Sequence, residues 1–153
     1  MMMNKKIILN TILCAVAAGT IMIVLEMILV KIFTDYSIWE SPRKMAAIIM
    51  GPKVLEPHTF NFGIIAVAML VHYSLSIIYG FIFHFITSRL SSIMVIISGL
   101  AFGLVLFLIN FYGFAEIFFP WFKGARDWIM IFGHLAFGFT LGFTVEAYVP
   151  KKQ

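Results

Sequence analysis

Three side chains able to bind a metal or carry a proton, Glu26, His72 and His134, lie inside long apolar runs of this chain. A charged group deep in a bilayer costs about 2.5–3.5 kcal/mol even on lenient insertion scales, so each needs a partner or a task. With Asn110 and Tyr112, which would close the group from above, they form a candidate polar cluster. Two histidines and a carboxylate are a donor set for a divalent metal. Two histidines on separate helices are equally a donor set for a haem iron. Counting along the helices puts His72 about 8–11 residues and His134 about 6 from the outer surface, some 3–8 Å apart in depth at 1.5 Å per residue, which weighs against one shared haem. The same groups can also form one end of a proton or solute relay running past Ser76 to His84 and Glu146 at the inner edge. The plainest reading makes them hydrogen-bonded glue between helices.

No nucleophile elbow, phosphate loop, His-Glu-x-x-His pattern or Cys-x-x-Cys pair occurs, and Cys14 is the only cysteine, so an internal disulfide or thiolate cluster is excluded. The expectation is therefore a non-enzymatic protein. A haem- or metal-binding redox subunit is one alternative. A small transporter or proton conduit acting as an oligomer is the other, and a homo-oligomer or a membrane partner subunit would complete either.

The elements that must carry these residues are set by composition. Of the 153 residues 62% are hydrophobic and only 12% charged, with a mean hydropathy of +1.03, values that belong to integral membrane proteins. Four apolar runs, 7–32, 61–87, 93–111 and 128–149, can each cross about 30 Å of hydrocarbon as a helix. The fold class is all-α: an integral membrane four-helix bundle forming a single domain over 1–153. Between the second and third runs only five residues are polar enough to turn, which makes those helices antiparallel neighbours. In the first loop Ser41 reads as a helix cap and Pro42 as the first helical residue, with Gly51-Pro52 as the stop. That short helix, 42–50, lies at the outer interface and caps the bundle, a reading preferred to a substrate lid.

Eleven basic residues against seven acidic give a net charge of +4, yet the basic residues stand singly or in pairs at span ends. They read as topology signals, and nucleic acid is excluded as a partner. Lys5, Lys6, Arg89, Lys151 and Lys152 crowd short segments. Lys31, Arg43, Lys44, Lys53, Lys123 and Arg126 are spread through longer loops and mixed with acids. The raw count does not decide orientation, but density in short segments favours cytoplasmic N- and C-termini. The first run, continuing to Val30, is longer than a signal-peptide core and is expected to be retained.

Helices in lipid associate through small residues and a few polar contacts. Such a stripe runs along every span: Ala15, Gly19, Met22 and Glu26 in the first; Ala68, His72, Ser76, Gly80 and His84 in the second; Gly99, Gly103 and Asn110 in the third; His134, Gly138, Gly142 and Glu146 in the fourth. Steps of three and four keep each set near one face. The cluster rides on these packing faces.

Residues 110–128 read as a tight interfacial loop crowded with aromatic rings, which settle where hydrocarbon meets water. The run Asn110-Phe111-Tyr112-Gly113-Phe114, followed by Phe119-Pro120-Trp121-Phe122, Arg126 and His134, resembles a pattern in a family of small uncharacterised four-span bacterial inner-membrane proteins. The resemblance covers about the C-terminal third, with a looser echo around His72. It implies a bacterial inner membrane and no particular activity.

Overall fold

In a computed structural model of the chain, residues 4–149 are described; Lys151 and Lys152, two of the basic residues assigned to the inner side, lie outside them. The described residues fold into helices and turns, without a strand. Four helical stretches, Lys5–Phe33, Phe62–Thr87, Ser92–Ile117 and Trp128–Tyr148, are long and apolar enough to cross a membrane. Their outward faces carry large apolar side chains such as Leu13, Leu70, Phe85 and Ile97. Water would not tolerate so much exposed hydrocarbon, but lipid does.

Local chemistry fixes the ends. Helix α1 (Lys5–Phe33) is capped by Asn4, whose Oδ1 accepts from the Ile7 amide at 2.9 Å. Helix α3 (Phe62–Thr87) is capped in the same way by Asn61, and α6 (Trp128–Tyr148) by Asp127. Each cap satisfies one of the amides that have no acceptor within the helix.

The short helix α2 (Glu40–Met50) starts two residues earlier than Pro42. Ser37 replaces Ser41 at its entry, its Oγ accepting from the Trp39 amide at 3.3 Å and its carbonyl from the Glu40 amide at 3.0 Å. Pro42 then falls in the first turn, where a missing amide hydrogen costs nothing. Gly51 ends the helix with φ of 78°, a conformation that favours glycine. Arg43, which reads in the sequence as a topology signal, is 3% exposed. Its Nε and Nη1 donate to the carbonyls of Thr59 at 2.8 Å and Val54 at 2.7 Å, so a guanidinium staples the first loop from within.

The third span also departs from expectation. Helix α4 (Ser92–Leu108) does not give way to a loop at Asn110 but passes through a π-helical turn, Ile109–Phe114, into one more turn, α5 (Ala115–Ile117). Aromatic side chains do not break a helix; the first residue that must is Pro120, and the chain leaves helical geometry just before it. A π turn leaves its ladder imperfect. Here the Phe111 carbonyl accepts from Arg126 Nε at 3.0 Å. Arg126 and Lys123 both bind Glu116, which ties a 3₁₀ segment, Pro120–Ala125, back onto the turn.

Packing follows the order α3, α1, α6, α4, with α2 resting on α3. The Asn10 amide donates to the Tyr148 carbonyl, so α1 begins where α6 ends. This is the terminal end of the bundle; α2 and the aromatic segment occupy the opposite, loop end. Helices α3 and α4 share a four-residue turn, 88–91, but touch along little of their length. The expectation of antiparallel neighbours is refined: a short turn fixes where two helices meet, not how far they stay together. Rings of Tyr79, Phe83 and Phe102 bridge them near the terminal end.

Helices α4 and α6 could not be more closely set. A methyl group on Gly99 would strike the Gly138 carbonyl oxygen, one on Gly103 the His134 carbonyl, and one on Gly138 the Gly99 carbonyl. Gly142 stands against Val95, where a Cβ would lie 3.0 Å from the carbonyl oxygen. Backbone meets backbone, as small residues permit.

Candidate functional site

Where α3 and α4 part, a cavity of about 480 Å³ opens at the loop end of the bundle. Its back is formed by α1 and α6, its sides by α3 and α4, and its roof by α2 with the 3₁₀ segment. Trp121 Nε1 donates to the Lys44 carbonyl at 3.1 Å and joins the two halves of that roof. Most of the wall is apolar, with phenylalanine and methionine its commonest residues. The polar groups come from five elements.

Glu26 reaches the cavity from α1 and is 7% exposed. The Ser41 hydroxyl of α2 stands beside its carboxyl group, and the charges of Asp127 and Lys44 act on it. The Lys44 ammonium is itself engaged, 2.6 Å from Glu40 Oε1. His72 on α3 points Nε2 at the Gly19 carbonyl of α1, 2.9 Å away. A carbonyl only accepts, so that nitrogen carries the proton. Gly19 makes the approach possible, since a Cβ there would stand 2.5 Å from Ser76 Oγ and 3.2 Å from His72 Nε2.

His134 on α6 is held the other way round. Its Nδ1 donates to the Met130 carbonyl at 2.9 Å, which leaves Nε2 as the acceptor, 3.5 Å from Asn110 Nδ2. Asn110, placed by the π turn, accepts through Oδ1 from the Tyr79 hydroxyl at 2.9 Å. Tyr79, Asn110 and His134 thus form a chain that spans the gap from α3 to α6.

Several expectations are revised by this geometry. Glu26, His72 and His134 line one cavity but do not meet: each is bonded to a different partner, and no ion pair joins the acid to either ring. Among the described residues no three His, Cys, Asp or Glu side chains form a group that could hold a metal ion. A haem held by both histidines fits poorly as well, because His72 Nε2 is committed to the Gly19 carbonyl. Tyr112 lies outside the site, 55% exposed, with its ring under the Arg126 guanidinium at 4.6 Å. Residues two apart on a helix do not share a face, so Asn110 and Tyr112 are not compatible as a pair. His84 and Glu146 line a separate cavity of about 10 Å³ at the terminal end. Ser76 gives its hydroxyl proton to the His72 carbonyl at 2.8 Å instead of extending a relay.

Two contributors are not among the residues that sequence reasoning selects. Tyr79 lies seven residues from His72 and three from Ser76, on the same helical face, so its spacing is a usable signal. Ser41 has none, because its role depends on α2 folding back over α1. No protein-family model, curated protein or solved structure matches this chain, so the site rests on its own geometry.

Proposed function

We propose that the protein is a non-enzymatic four-span bundle of a bacterial inner membrane, which holds a small, mainly apolar molecule in the loop-end cavity. The observation that carries this is the cavity itself. At about 480 Å³ it falls within the roughly 300–1,000 Å³ of small-molecule sites, and its apolar wall with a few convergent polar groups is the usual pattern of such sites. The weak contact between α3 and α4 gives such a molecule a way in from the lipid.

Cytoplasmic N- and C-termini are part of the reading, and the loop end supports them. Arg43 is spent on two carbonyls, Lys44 on Glu40, and Lys123 and Arg126 on Glu116. The basic residues of the loop end are thus spread through long segments and folded contacts, while Lys5, Lys6 and Arg89 crowd short segments at the terminal end, which favours that end as the cytoplasmic one. A reporter inserted in the 88–91 turn should respond as cytoplasmic and one near Lys53 as external; the reverse pattern would refute this orientation.

Occupancy is tested by weighing the intact protein under native conditions after release from its own membranes. The wild-type chain should carry an added small-molecule mass, and Leu75→Trp, which fills the cavity from α3, should not. If both weigh as the bare chain, the binding reading fails.

A further inference from the structure

The chemistry of the wall narrows what the cavity would hold. Glu26 is an intramembrane acid with a neutral hydroxyl, that of Ser41, beside its carboxyl group. Neither histidine pairs with it, and Lys44, whose charge acts on it from the same wall, is held by Glu40. An acid in such a place calls for a countercharge. The surroundings decide what kind. A metal ion needs several oxygen, nitrogen or sulfur donors converging on one point, and no such group exists among the described residues. What the same cavity offers instead is ring and thioether: Phe111, Phe114, Phe118, Phe119, Phe122 and Phe137 line it, together with three methionines, Met22, Met45 and Met130. Aromatic faces attract cations, most strongly when water is excluded. Methionine side chains adapt to ligands of varied shape.

We infer that the loop-end cavity binds a lipophilic organic monocation, with Glu26 as its countercharge and the phenylalanine rings as its cage. This rests on the proposal that the cavity holds a small molecule, and it adds the sign and character of the ligand's charge. A delocalised cation suits the site twice. It dissolves in the bilayer well enough to enter between α3 and α4, and it needs no dense shell of hydrogen-bond acceptors. Two further acceptors in the lining, Asn110 Oδ1 and His134 Nε2, are already engaged with Tyr79 and Asn110, and His72, whose Nε2 donates to Gly19, offers only its Nδ1, so the rest of the wall makes little polar demand on the ligand.

The test is equilibrium binding to the full chain in lipid nanodiscs, with protein-free nanodiscs as the blank. The probes are tetraphenylphosphonium and the neutral triphenylphosphine oxide. The wild-type protein should prefer the cation by at least about tenfold, a difference of roughly 1.4 kcal/mol. Glu26→Gln should erase that preference while leaving the oxide bound as before, and Leu75→Trp should abolish both. Should Glu26→Gln lose both probes by collapsing the cavity, the wild-type ratio decides alone. Equal wild-type affinities, or a preference that survives Glu26→Gln, overturn the cation proposal and leave the small-molecule reading intact. If neither probe binds above the blank, both are overturned.

Discussion

Two sides of this bundle are built from the same apolar alphabet and could hardly differ more. Along α4 and α6 the residues in contact are glycines, and the backbones approach until a single methyl would not fit. Between α3 and α4 the facing residues are bulky, including Leu75, Tyr79, Leu106 and Phe114, and the helices stand apart around a cavity. In water both seams would close for want of an alternative. In lipid, where leaving hydrocarbon brings no reward, only the side with small residues closes tightly. Distance between membrane helices is thus written in side-chain size, and a cavity is what large residues leave when neighbouring contacts are already fixed.

The sharpest way to break this contrast is to enlarge the close side. Gly138→Leu must drive a side chain into the Gly99 carbonyl and the Gly103 backbone. It should lower thermal stability in detergent by on the order of 3 kcal/mol, the upper end of ordinary overpacking. Leu108→Phe, on an exposed face, is the control and should have little effect. Equal losses would mean that the crossing is not where the structure is constrained.

A smaller effect is expected on the open side. Tyr79→Phe removes the hydroxyl that reaches Asn110 across the gap, and should cost about 0.5–1.5 kcal/mol, the worth of one hydrogen bond. Thermal unfolding beside Gly138→Leu ranks the two directly. If Tyr79→Phe proves the more damaging, the polar bridge and not the glycine seam holds the bundle together.

The smallest effect sharpens the point about glycine. Gly113, in the π turn, has open space where a methyl group would project, with nothing within 4 Å, so Gly113→Ala should be neutral or stabilising by up to about 1 kcal/mol. The same change at Gly138 meets a carbonyl. Comparable melting temperatures for Gly113→Ala and Gly138→Ala would show that helical propensity outweighs contact at both sites.

These cases also show what can be read from a membrane sequence. The four long apolar runs are legible because hydrocarbon imposes length and backbone self-sufficiency on anything that crosses it. The glycine pairs at spacing four mark faces capable of close approach, and the structure puts them against one another. The polar cluster is legible only in part. His72, Asn110, His134 and Glu26 share a cavity, but which atom bonds to which depends on rotation of each helix and on a π turn with no clear sequence signature. Arg43 misleads for a related reason. An arginine in a short connecting helix looks like a surface charge until the folding of the chain after it places carbonyls around it.

The glycine seam has a mechanical consequence. Where the glycines bring backbone against backbone there is no rotamer to switch and no side chain to compress, so the crossing of α4 and α6 has no give at Gly99, Gly103 and Gly138. A guest that swelled the cavity would meet least resistance between α3 and α4, which touch along little of their length. The tie from Trp121 to the Lys44 carbonyl lies across the roof of that opening, and would have to stretch or part as the opening widened.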